Sequence, residues 1–207
     1  MNLRGIALLG LVLILAALAP LAQANVLVTG STASPDVFNP IVGTTVATSS
    51  GLLVAPDGDF TTSFTTSVIS DPANNFCANC LDFVYAFTNN GPDDNGRYTM
   101  GVFSTWKTDV GYVTAAGVIP NQVERSANGN NIAFDFAGSD NVMTGQSTVL
   151  LVIETNATDF APGRVSAQNN VTANGSAFQP AVPEPSSLAL LGSGVLGLAQ
   201  LLRRKLM

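Results

Sequence analysis

Histidine is absent from all 207 residues. Ser-His-Asp and Cys-His catalysis are thereby excluded, and His-ligated metal sites with them. No G-x-S-x-G elbow occurs, the strained turn that carries a hydrolase serine. Positive charge is scarce as well. Between Asn25 and Val182 the basic residues are Arg97, Lys107, Arg125 and Arg164. Every acidic residue of the chain's 14 except Glu184 lies in the same stretch, which therefore carries a charge of about −9. So acidic a domain repels nucleic acid and anionic membrane surfaces, and neither is expected as a partner. The stretch also lacks helical periodicity, an internal repeat and any sign of a second domain. Its size is that of one domain with a sizeable core.

Long apolar runs are confined to the ends. Met1–Ala24 opens with Arg4, continues as an apolar run from Ile6 to Ala19, and breaks at Pro20. Ala22-Gln23-Ala24 then supplies the small-x-small site that signal peptidase requires, with Asn25 as the first mature residue. At the other end, Pro183-Glu184-Pro185 precedes an apolar stretch from Leu188 to Leu202, and Arg203-Arg204-Lys205 follows at once. Ser186 to Leu202 would span about 25 Å as a helix, the short limit for a hydrocarbon core. The basic cluster acts as a stop-transfer signal and stays in the cytoplasm, leaving the main domain outside. The front signal demands the same orientation. Two prolines keep the backbone before the span extended and hold Glu184 at the outer interface.

This tail resembles the PEP-CTERM sorting signal of Gram-negative bacteria. The resemblance rests on Pro183-Glu184-Pro185, on Leu190-Leu191-Gly192-Ser193-Gly194 with Gly197, and on Arg203-Arg204-Lys205. It covers about 25 residues. It implies recognition by an exosortase, a membrane transpeptidase, and a transient inner-membrane intermediate. It further implies removal of the tail near Pro-Glu-Pro, with release or attachment at the cell surface or extracellular matrix. Such proteins commonly accompany exopolysaccharide production. Lys205 stands where a third Arg is usual, which keeps the charge.

The expected organisation is a signal peptide at 1–24, a β-domain at 25–178, a linker at 179–187, and a hydrophobic helix with a basic tail at 188–207. Within the β-domain, Leu81, Phe83, Tyr85 and Phe87 alternate with Asp82, Val84, Ala86 and Thr88. That is the period of a strand with one heavy apolar face. Asn89–Gly96 reads as a turn-rich loop, and Tyr98–Ser104 resumes as a strand. Ile132, Phe134 and Phe136 alternate again, and Phe60, Phe64 and Val68 share one strand face. Val149–Ile153 is continuously apolar, as in a strand buried on both faces. Short strands with frequent turns predict an all-β, antiparallel β-sandwich, Ig-like or jelly-roll, flanked by the two terminal helices.

Few residues of this domain suggest chemistry. In an oxidising compartment Cys77-Ala78-Asn79-Cys80 reads as a structural disulfide at a strand entrance, because no helix follows to activate a thiol. Two sulfurs without histidine make half a zinc site. Asp57-Gly58-Asp59 and Asp93-Asp94-Asn95-Gly96 read as Asx-Gly turns, with calcium ligation as the alternative. Trp106 and Tyr112 read as core or sandwich-end aromatics, with stacking on sugar rings as the alternative. No cofactor and no metal are assigned. The expected protein is a non-enzymatic surface or matrix component, structural or adhesive and associated with exopolysaccharide. A carbohydrate-binding module, possibly calcium-assisted, is the second reading, and a two-carboxylate hydrolase the third.

Overall fold

The computed structural model describes residues 26–38, 41–136, 138 and 141–182. Twelve strands make up the described fold: β1 Thr32–Ala33, β2 Asp36–Phe38, β3 Thr44–Val54, β4 Phe60–Asp71, β5 Cys80–Pro92, β6 Arg97–Gly101, β7 Thr108–Val113, β8 Gln122–Arg125, β9 Asn131–Asp135, β10 Leu150–Thr155, β11 Phe160–Gln168 and β12 Thr172–Pro180. They form two six-stranded sheets. Sheet I has the order β1-β8-β9-β6-β11-β12, and sheet II the order β2-β7-β10-β5-β4-β3. The described residues are thus all-β, as the alternating patterns predict. Among the described residues no helix is long and apolar enough to cross a membrane. The expected signal helix and the span within 188–207 lie outside the described residues.

The heavy apolar faces meet between the sheets. Phe60, Phe64 and Val68 of β4 and Leu81, Phe83, Tyr85 and Phe87 of β5 line one side of the core. Tyr98 and Met100 of β6 and Ile132 and Phe134 of β9 line the other. Phe87 stacks on Tyr98 across the gap, with ring centroids 4.1 Å apart and planes 11° apart. Phe136 meets Tyr98 edge-on at 5.6 Å. Such pairs add about 1 kcal/mol each beyond their buried area. A second tie crosses the sheets where the Tyr85 hydroxyl donates to the Phe178 carbonyl at 2.7 Å.

Several details depart from the sequence expectation. β5 continues to Pro92, through the first half of the stretch expected as a turn-rich loop at Asn89–Gly96. The sheets are not wholly antiparallel, because β2 runs parallel to β7. β1 and β2 are separated by two residues yet pair in opposite sheets, so the chain crosses the sandwich there. β2 can lie so close to β7 because position 111 is glycine: a Cβ on Gly111 would overlap the Asp36 carbonyl. The strand after Gly96 stops at Gly101, short of Ser104, since Val102 adopts a φ of 104°. The final strand runs to Pro180, past the expected boundary at 178.

β10 occupies the middle of sheet II, between β7 and β5. Its Leu151 and Ile153 enter the core. Val152 points the opposite way and is buried too. From Leu151 onward both faces of this strand are covered, but Leu150 at its start is 41% exposed, so the run from Val149 to Ile153 is doubly buried only in its second half.

Candidate functional site

The alternation that sends Phe83 and Ile153 inward sends Asp82 and Glu154 to the outer face of sheet II. Glu154 of β10 lies directly opposite Asp82 of β5 on one side and Asp109 of β7 on the other. Three acids thus form a row across three adjacent strands. Asp71, the last residue of β4, completes the group, since one carboxylate oxygen from each of Asp71, Asp82 and Glu154 lies within 4.8 Å of the others. Like charges directly opposite in a sheet are destabilising. Here they are also out of water: Asp82 is 0% exposed, Asp109 2%, Asp71 5% and Glu154 6%.

The 72–79 loop between β4 and β5 covers this row, and its sequence explains its shape. Cys77 and Cys80 are joined by a disulfide with their Cα atoms 5.3 Å apart, as expected at a strand entrance. Asn79 takes the left-handed conformation, φ 63°, which asparagine tolerates better than most residues. Its N–H donates to the Asp71 carbonyl at 2.8 Å. The Asn74 side chain is the centre of the loop. Its Oδ1 accepts from the N–H groups of Phe76 and Cys77, at 2.8 and 3.4 Å. Its Nδ2 donates down to Asp82 Oδ1 at 2.7 Å and to the Thr155 carbonyl at 3.2 Å. The N–H of Ala73 donates to Asp71 at 2.6 Å, and that of Asn75 to Glu154 at 3.4 Å. Asn75 Nδ2 reaches Asp109 at 3.3 Å.

The donors to Asp71, Asp82 and Glu154 among the described residues are therefore neutral amides, and Asp82 Oδ2 has no hydrogen-bond partner. Burial pushes the Asp82 carboxyl up to about 8, with the neighbouring Glu154 and Asp71 raising it further and the Asn74 amide opposing them. Burial raises Glu154 in the same direction, against the Asn75 N–H. Chemically this is an enclosed, oxygen-lined, anionic cage.

The residues singled out in the sequence lie elsewhere. Asp57, Asp59 and Asp93 do come together, at the opposite end of the β4–β5 pair, where Asp93 N–H donates to the Asp59 carbonyl at 2.9 Å. Asp57 accepts from the Asp59 N–H at 3.2 Å, an Asx turn. The charge of Asp57 raises the Asp59 carboxyl, with a smaller contribution from Asp93. Asp94 leaves this group and accepts from the Asn141 and Asn169 side chains. Trp106 and Tyr112 are both half-buried. Tyr112 packs against the core, while Trp106 sits in the turn before β7, where its carbonyl accepts from Arg125 at 2.8 Å. The two rings do not form one exposed pair. The sorting residues Pro183, Glu184, Pro185, Arg203, Arg204 and Lys205, and the cleavage residues Ala22, Ala24 and Asn25, lie outside the described residues.

Sequence reasoning missed Asp71, Asp82 and Glu154. A signal existed in two of them: Asp82 interrupts the buried strand face that Val84 continues, and Glu154 directly extends the doubly buried run of β10. Nothing in their spacing along the chain links them.

Comparison with known proteins adds one finding about the tail. No curated protein and no solved structure matches the chain. Residues 181–205 match the PEP-CTERM protein-sorting motif, so this chain carries the signal of an exosortase-sorted protein.

Proposed function

We propose that this chain is a non-catalytic component of the cell surface or extracellular matrix, structural or adhesive and associated with exopolysaccharide. The sorting motif at 181–205 carries the reading. The signal at Met1–Ala24 demands the same export, and a disulfide clipping a surface loop suits an oxidising compartment. The route requires signal peptidase before Asn25 and an exosortase near Pro183-Glu184-Pro185, with the membrane engaged transiently through the apolar tail. A non-catalytic role is supported by the burial of the Asp71, Asp82 and Glu154 carboxylates, since a sugar chain has no access to groups at most 6% exposed, while Asp57, Asp59 and Asp93 converge only in turns. The sorting half of the proposal is tested by intact mass of the surface-released protein. Loss of everything beyond about Pro185 is expected, and Arg203-Arg204-Lys205 retained on the mature protein would refute it.

Carbohydrate binding is the second reading, favoured by a polar groove of about 390 Å³ on the outer face of sheet I. Arg97, Thr99, Glu124, Asn131 and Gln168 line it. Arg97 is held there by Glu124 and Asp135, each at 2.8 Å. Fixed donors and acceptors of this kind match sugar hydroxyls. A polysaccharide pull-down that Arg97→Ala weakens supports this reading; capture unchanged by that substitution leaves the groove without a role.

A further inference from the structure

We propose that the carboxylates of Asp71, Asp82 and Glu154 are the protein ligands of a calcium ion held on the outer face of sheet II beneath the 72–79 loop. Two independent observations point to a cation. First, the three carboxylate oxygens converge within 4.8 Å. One calcium ion, with oxygen ligands at about 2.3–2.6 Å, reaches all of them. Second, Asp82 is fully buried and its Oδ2 has no hydrogen-bond partner. A buried anionic oxygen left bare costs more than almost any other polar defect, and a cation removes the cost.

The protein supplies no cation of its own among the described residues. The described ion pairs are those of Arg97 with Glu124 and Asp135. Arg125, the one buried base, donates instead to the carbonyls of Leu27, Phe103, Trp106 and Gly129 and to the Thr108 hydroxyl. The ligand set is all oxygen, which selects a hard cation over zinc or copper. Asn74 is not a ligand, because its Oδ1 is committed to Phe76 and Cys77. It acts as a strut that fixes the Asp82 carboxylate from its other oxygen, and the disulfide holds the strut's loop closed. A proton shared between two of the carboxyls is the competing occupant, and the experiment separates the two.

The full chain, in detergent micelles and stripped with EDTA, is titrated with calcium chloride by calorimetry, and its melting temperature is followed by circular dichroism. At a hundredfold excess over Kd the melting temperature should rise by about 5–10 °C. Magnesium should give a much smaller rise, since its contracted octahedral shell fits a fixed cage poorly. Glu154→Gln and Asp71→Asn, which keep shape and remove charge, should each lose the calcium shift and the calorimetric signal. Asp59→Asn, at the far end of the same strands, should keep both. No response in the wild-type chain overturns the proposal, as does a response retained in both Glu154→Gln and Asp71→Asn. An equal response to magnesium overturns the assignment to calcium. These outcomes are independent of tail removal, which is read by mass on the released protein.

Discussion

The two ends of the β4–β5 pair each gather acidic residues, and they do so under opposite conditions. At one end Asp57, Asp59 and Asp93 cluster in exposed turns. At the other, about 36 Å away at 3.3 Å per residue, Asp71, Asp82 and Glu154 cluster beneath a loop. Water screens the first group, so its repulsion is weak and its turns are satisfied by their own backbone. The second group is screened by nothing but amides. The contrast teaches that clustering of acids along a sequence is a poor guide to a cation site. Burial without compensation is the better one, and it arises where two consecutive strands, β4 and β5, meet the much later β10.

Four variants sharpen or break that contrast. The largest effect is expected from Asp82→Asn in calcium-free solution. The folded carboxyl is raised to about 8 from an ordinary 3.8. Its proton therefore favours the folded state at low pH, and that contribution is lost as pH rises from about 4 through 8. At pH 7 the wild type bears most of this loss, so Asp82→Asn should stabilise the calcium-free protein by about 4 kcal/mol. Urea denaturation in EDTA at pH 5 and pH 7 measures it, and the gain should shrink at pH 5. A destabilised Asp82→Asn at pH 7 would erase the distinction between the two ends.

Next in size is the disulfide. Cys77→Ser with Cys80→Ser should cost about 2 kcal/mol by the entropy of closing so short a loop. It should also weaken calcium affinity, because the cover over the acids loosens. Denaturation and calorimetry on the same preparation read both effects, and an unchanged affinity would show that the clip does not organise the cage. Asn74→Ala comes third, at about 1–2 kcal/mol, since it strips a hydrogen bond from Asp82 Oδ1 and from the Thr155 carbonyl. Its loss should be larger in calcium than without it. The smallest effect belongs to Asp59→Asn, which should leave the melting temperature unchanged within the resolution of the measurement. A clear shift there would mean that the exposed end also carries uncompensated strain.

Much of the fold was legible in particular residues. Leu81, Phe83, Tyr85 and Phe87 marked β5 and its inward face, and Val149–Ile153 marked β10, which is covered on both sides from Leu151 onward. Cys77 and Cys80 marked the entrance to β5. The crossing of the chain from β1 to β2, with its parallel pairing at Gly111, was not legible, because a two-residue gap says nothing about which sheet receives each piece. The candidate site was legible only as an oddity, an acid in each of two buried strands.

By itself the sequence determined that this protein carries an exosortase sorting signal, and the class of its fold. A sorting tail and a two-residue period are local patterns, read by an enzyme or by backbone geometry one segment at a time. Only the tertiary structure decided where the uncompensated charge lies. Residues 71, 82 and 154 meet because β4, β5 and β10 are neighbours in sheet II, and strand order is set by packing across the whole core. Their charge matters because the 72–79 loop shuts out the water that would otherwise screen it.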